Sequence, residues 1–207
     1  MHRSHSSSHD DVERFGEWAP TYERHWMQRF LFDPVQRTVL DLAASQVSDP
    51  KAILDVGCGT GRLLRAAHAR FPGAQLDGVD AAPGMVEQAI VASGDRSPIK
   101  FQQATAEALP FGDASFNVVL STLTFHHWAD QAKGIAEVRR VLAPGGRWVL
   151  ADFIAGGLAA IIARGRMPER ARLDAMLGAA GLQVVARRSL WRTLGNISVV
   201  AIAARER

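Results

Sequence analysis

From residue 52 onward the chain alternates short apolar runs with longer segments of helical spacing, a rhythm that few folds accommodate. The runs are AILDV (52–56), AQLDGV (74–79), IKFQQ (99–103), FNVVLS (116–121) and RWVLADF (147–153). Between them lie GRLLRAAHARF (61–71), PGMVEQAIVAS (83–93) and DQAKGIAEVRRVL (130–142), each with apolar residues three or four positions apart. Strand and helix in alternation predict a parallel sheet with helices on both faces. Right-handed crossovers then bring the carboxyl ends of the strands to one edge, where a ligand belongs.

The flanks depart from that rhythm. PVQRTVLDLAASQV (34–47) reads as a helix with Pro34 at its first position and Val35, Val39, Leu42 and Val47 along one side. Before it, residues 12–30 space Phe15, Trp18, Tyr22, Trp26 and Phe30 as a helix that Pro20 divides. At the other end, PERARLDAMLGAAG (168–181) is a helix with a glycine stop, followed by LQVVARRSLW (182–191) and ISVVAIAAR (197–205) around a turn at Gly195 and Asn196. That pair predicts an antiparallel hairpin, giving an α/β fold with a doubly wound, mostly parallel, seven-stranded sheet. With 207 residues, 47% of them apolar, the chain reads as one domain over 11–207, its core at 49–155, behind a disordered head at 1–10.

Composition narrows the function classes. Cys58 is the single cysteine, so an intrachain disulfide and a thiolate metal pair are both excluded. The head MHRSHSSSHDD has three histidines but nothing to bury, and no metal site is expected there. Lys and Arg number 24 against 21 Asp and Glu, a net charge of +3 that makes a weak case for nucleic acid, and no DNA partner is expected. Arginines cluster late, at 164–172 and 186–192, which fits solvated faces, with phospholipid or RNA as the alternative. The longest apolar segment, FIAGGLAAIIA (153–163), has eleven residues, short of the roughly 18 a membrane span needs. The head lacks the apolar centre of a signal peptide, so a cytoplasmic location is expected.

The first strand runs into ILDVGCGTGR (53–62). Gly57, Gly59 and Gly61 leave a strand and open a helix, the context in which a turn brings backbone amides against a ligand. A dinucleotide fingerprint wants its third glycine one residue later, where Arg62 stands, and no lysine follows as in a triphosphate loop. Asp80, nineteen residues past Gly61 at the end of the second strand, offers a carboxylate to both hydroxyls of a ribose, which suits NAD and S-adenosylmethionine equally. A helix cap is the other reading of Asp80. Asp55 separates the ligands: an acid there repels a pyrophosphate and suits an ammonium and a sulfonium. A carboxylate fixing the loop is compatible with the same ligand.

Together ILDVGCGTG, VDAAPGMVEQA, ATAEALPFGDASFNVVLS and EVRRVLAPGGRWVLAD resemble the class I S-adenosylmethionine-dependent methyltransferases. The likeness is to the small type 11 group that includes the ubiquinone and menaquinone C-methyltransferases, and it runs from about residue 15 to 154. The resemblance implies a Rossmann-like sheet, S-adenosyl-L-methionine as cofactor and a small-molecule methyl acceptor. It places Cys58 and Thr60 of the glycine turn by the methionine part, Asp80 on the ribose, and Ala81 and Met85 on the adenine. Thr105 stands where the family usually has Asp or Asn to accept from the adenine amino group, which weakens that contact by about 1 kcal/mol. The Ala106 amide is kept, and Ser121 corresponds to a position near the methionine moiety. Asn117 stands at a position usually structural, and APGG (143–146) reads as the turn into the fifth strand.

A sulfonium methyl is already activated, so catalysis needs alignment and the exclusion of water, and a base only where the acceptor must lose a proton. His126 and His127, in STLTFHHW (121–128), are the candidate bases, His126 favoured, with packing as the competing role. The resemblance makes 11–48 a lid, with Trp18 and Tyr22 over the cofactor, and core packing fits them equally. Asp152, ending the fifth strand, is a substrate contact or a cap. Nucleobase amino-methyltransferases carry Asn or Asp and two prolines where this chain has STLT, which argues against adenine or cytosine as acceptor. The expected activity is methyl transfer to an O, N or C nucleophile of an apolar or aromatic small molecule. RNA or protein methylation, and a non-catalytic cofactor-binding module, are the alternatives.

Overall fold

A computed structural model of the chain describes residues 32–155, 169–192 and 197–206. The proposed helix over 12–30 with Trp18 and Tyr22, the head at 1–10, most of the apolar segment 153–163 and the turn at Gly195 and Asn196 lie outside them. The described elements are α1 (Asp33–Gln46), β1 (Ala52–Val56), α2 (Arg62–Arg70), β2 (Gln75–Asp80), α3 (Pro83–Ser93), β3 (Lys100–Gln103) and β4 (Phe116–Thr122). A 3-10 turn (Phe125–His127) follows, then α4 (Gln131–Val141), β5 (Leu142–Ala155), α5 (Arg170–Ala179), β6 (Leu182–Arg192) and β7 (Ile197–Glu206).

The strands form one seven-stranded sheet in the order β3-β2-β1-β4-β5-β7-β6. β1 pairs in parallel with β2 and β4, β2 with β3, and β4 with β5, whereas β7 runs antiparallel between β5 and β6. This is the mixed, mostly parallel sheet with a terminal antiparallel pair that the sequence rhythm predicts. The order reverses direction at β1 and β4, so a crevice opens at their carboxyl ends, between Gly57 and Leu123.

Period-two alternation sends successive side chains of each strand to opposite cores. Ile53, Val118, Leu120, Val149 and Ala201 meet α1 and α2 on one face; Leu54, Val119, Leu150 and Ile202 meet α4 and α5 on the other. α1 contributes Val35, Val39 and Leu42, so its predicted apolar side is the buried one.

β5 begins earlier than RWVLADF. Leu142 already pairs with Phe116, and the ladder resumes at Val118 with Arg147, which loops out APGG between two paired stretches. Gly145 turns there at φ 75°, and a Cβ on Gly146 would lie 2.8 Å from the Ala143 carbonyl, so the turn admits no side chain at that position. The Asn117 side-chain oxygen accepts from the amides of Lys51 (2.9 Å) and Ala52 (3.0 Å), which ties the start of β1 to β4.

Candidate cofactor site and a histidine–aspartate pair

The glycine turn is built from the β2 side as much as from β1. The amides of Gly57 (2.8 Å) and Cys58 (2.9 Å) both donate to the Val79 carbonyl, and the Gly59 amide donates to Asp80 Oδ2 (2.8 Å). The other Asp80 oxygen accepts from the Ala82 amide (2.9 Å), at the start of α3. One carboxylate therefore fixes both the turn and the helix, and each oxygen keeps acceptor capacity for a ligand hydroxyl. Burial raises the Asp80 carboxyl above its ordinary value, and the amides oppose that.

All three glycines have positive φ, at 77°, 53° and 76° for Gly57, Gly59 and Gly61. Their surroundings differ. A Cβ on Gly57 would lie 2.1 Å from Thr124 Oγ1, and one on Gly61 would lie 2.6 Å from the Phe101 ring, whereas one on Gly59 would meet nothing within 4 Å among the described residues. Gly57 and Gly61 are small so that the protein can pack on them, and Gly59 gives the turn its open side.

Asp55 is 2% exposed, and its Oδ1 is buried with no hydrogen-bond partner among the described residues. Its carboxyl is pushed up to about 8, first by burial and then by the charge of Asp80. Burial also drives the Cys58 thiol well above its usual range, so it stays neutral. Thr60 is buried, and its carbonyl accepts from Arg65 (2.6 Å); Arg62 pairs with Asp33. Met85 is buried at the start of α3, the Ala81 carbonyl accepts from Gln103 (3.2 Å), Thr105 is exposed, and Ala106 is buried. The structure thus gathers these sequence-selected residues at the carboxyl ends of β1, β2 and β3.

The family resemblance puts Ser121 near the methionine moiety; in the structure Ser121 and Thr122 face opposite sides of the sheet. Ser121 is fully buried on the α4 side, where its hydroxyl accepts from Trp148 Nε1 (3.2 Å), and Trp148 stacks on Trp128 at 6.0 Å. Thr122 shares a strand face with Leu120, the register partner of Asp55, and its Oγ1 is also buried without a partner. Sequence reasoning passed over Thr122. The strand parity of 116–122 is the signal that finds it.

The segment after β4 turns sharply, with Leu123 at φ 55°, a conformation rare for a branched residue. The turn seats Thr124 on Gly57 and carries the 3-10 turn onto the end of β5. There Asp152, 1% exposed, takes His126 twice: Oδ2 accepts from the backbone amide (3.1 Å) and Oδ1 from ring Nδ1 (2.6 Å). Asp152 is therefore a cap for the turn and a partner for the imidazole. The His127 ring lies 4.0 Å from that of His126, and the His127 amide donates to the Thr124 carbonyl (2.9 Å).

Residues 54–150 match the model of the methyltransferase domain family. The chain carries a methyltransferase domain. It is 39% identical over 144 residues to a demethylmenaquinone methyltransferase of Thermus thermophilus, covering 67% of this chain and 64% of that relative. A malonyl-[acyl-carrier protein] O-methyltransferase of Geobacter sulfurreducens is 39% identical over 119 residues, 58% of this chain and 45% of that one. The chain thus spans less than two thirds of either relative's length. Among solved structures, a 1,6-didemethyltoxoflavin-N1-methyltransferase of Burkholderia thailandensis superposes with a TM-score of 0.76 at 19% identity, over 100% of this chain and 91% of that one. The matched residues thus hold the whole glycine turn, along with Asp80, Ser121, Thr122 and the histidine pair; Asp152 lies two residues beyond the match.

Proposed function

We propose that the chain is a cytoplasmic S-adenosylmethionine-dependent methyltransferase acting on a small apolar or aromatic acceptor. The observation that carries this reading is the open side of the turn at Gly59, flanked by the Asp80 carboxylate and by the unpartnered Asp55 Oδ1 and Thr122 Oγ1. A buried carboxylic group there suits a ligand with an ammonium and a sulfonium and opposes a pyrophosphate. Asp80 holds the ribose, the turn from Gly57 to Gly61 meets the aminoacyl part, and Ala81, Met85, Thr105 and Ala106 border the adenine. When bound, the cofactor supplies an activated methyl group.

The protein's own contribution is alignment, dryness and a placed base. Asp152, accepting from Nδ1, holds the His126 proton on that nitrogen and makes Nε2 the basic one, so His126 serves an acceptor that must lose a proton. Ser121 supports Trp148 beneath the site. One domain spans 11–207 in this reading; α1 is packed on the sheet, so closing over the cofactor falls to the segment before it, where the sequence offers Trp18 and Tyr22. The names of similar proteins include one O-methyltransferase and one N1-methyltransferase, so the acceptor class rests on this chain's own sequence, the apolar segment 153–163 and the tryptophan-rich N-terminus. Arg187 pairs with Asp174, which takes one of the late arginines out of any nucleic-acid surface.

Calorimetry with S-adenosylhomocysteine tests the cofactor, and an absence of binding up to millimolar concentration overturns the reading. Asp80→Ala should weaken binding by about tenfold or more, since it removes a charged acceptor and the brace of the turn. Cofactor turnover against phenols, quinones, amines and lipids then identifies the acceptor, and turnover on RNA alone overturns the small-molecule reading.

A further inference from the structure

Five buried side-chain polar atoms among the described residues lack a hydrogen-bond partner, and two of them, Asp55 Oδ1 and Thr122 Oγ1, lie on one face of neighbouring strands beside the glycine turn. An ionised carboxylate at that depth needs a cation or several donors. None faces it among the described residues. Asp80, at the end of β2, has the same sign; Cys58, from the turn, is a neutral thiol; β4 presents Leu120 and the Thr122 hydroxyl. From α2, Arg65 is turned to the Thr60 carbonyl and Arg62 to Asp33. Burial and the Asp80 charge both favour the neutral acid, consistent with its elevated titration.

We propose that Asp55 carries a proton in the cofactor-free protein and releases it when the aminoacyl ammonium of the cofactor binds, which makes Asp55 the residue that selects an adenosine ligand bearing an ammonium over one without it. The Asp55 O–H bond breaks, its electron pair stays on the carboxylate, and the proton passes to the buffer. The ammonium gained and the proton lost offset each other beside Asp55, so neither charge is buried alone there. Affinity therefore rises with pH for as long as the free protein holds the proton, and levels off above its titration. This inference rests on the cofactor reading above, and its test separates the two.

The test is calorimetry of the full chain with S-adenosylhomocysteine near pH 6.5, in two buffers of different ionisation enthalpy, repeated with methylthioadenosine, which lacks the ammonium. Release of close to one proton per site is expected with S-adenosylhomocysteine and none with methylthioadenosine, together with a nearly tenfold gain in S-adenosylhomocysteine affinity per pH unit up to about pH 7.5. Asp55→Asn should fold, bind more weakly and release no proton. Binding without proton release, equal release with both ligands, or wild-type release from Asp55→Asn each overturns the inference and leaves the cofactor reading intact. No binding at any pH overturns the cofactor reading. If Asp55→Asn fails to fold, the contrast between the two ligands on the unaltered protein decides.

Discussion

Gly57 and Gly59 stand two residues apart in one turn, both at positive φ, yet they answer to different neighbours. Alanine at Gly57 adds a clash with Thr124, 2.1 Å away, to left-handed strain. Together these should cost about 2–4 kcal/mol, read as a fall in unfolding midpoint. Alanine at Gly59 meets only the strain, about 1 kcal/mol, and its larger effect should appear as lost cofactor affinity in a titration. Comparable stability losses at the two positions would contradict this assignment of packing and ligand sides. The His126 pair is testable at the same scale. Asp152→Asn replaces an obligate acceptor with a side chain that also donates, so the neutral imidazole should lose its preference for the Nδ1 proton in long-range proton–nitrogen spectra. Turnover should fall with it, and an unchanged tautomer would assign Asp152 to the backbone cap alone.

Two motifs that look separate in the sequence, LPFGD (109–113) and EVRRVL (137–142), form one device. Arg140 of α4 donates to the carbonyls of Leu109 (3.0 Å) and Phe111 (2.7 Å), to Asp113 (2.9 Å) and to Glu137. Glu137 in turn accepts from the Leu109 amide (2.9 Å). These partners hold the Glu137 carboxyl below the usual range and the Arg140 guanidinium above its own, the Arg140 hydrogen bond leading in the first case. The connection into β4 is thereby clamped to the helix after it, which steadies the strand that carries Thr122. Arg140→Ala should destabilise by about 1–3 kcal/mol, limited by its partial exposure, and raise amide exchange over 109–116. Arg140→Lys should not restore protection, since one ammonium does not span the fork's partners. Sequence spacing places both motifs at the right ends of their elements, but the reach of Arg140 across about thirty residues is set by the way α4 packs on the sheet.

Across the whole molecule, the buried Asp55 sets a sign for stability against pH. Its folded value, about 8, lies above the ordinary 3.8, so its contribution is complete below about pH 4 and is lost as pH rises towards 8. At 1.36 kcal/mol per unit the full span is on the order of 6 kcal/mol, enough to shift the unfolding midpoint visibly. The cofactor-free protein should therefore lose stability between about pH 5 and 8. Asp55→Asn should flatten that decline, and so should saturating S-adenosylhomocysteine; the same slope in all three would place the titrating group elsewhere.

The alternation of apolar runs and helical segments determined the sheet, its parallel core, its terminal hairpin and the edge that bears the site, because periods of 2.0 and 3.6 dictate which side chains are buried together. The glycine turn and the acid just before it were equally legible, since turn chemistry is local. Three features were not. The start of β5 at Leu142 depends on pairing across APGG, the Ser121 hydroxyl is taken by Trp148 Nε1 twenty-seven residues away, and His126 is distinguished from His127 by a carboxylate twenty-six residues away. Each of these turns on a contact between segments distant in the chain, and only the packed sheet brings their partners within hydrogen-bonding reach.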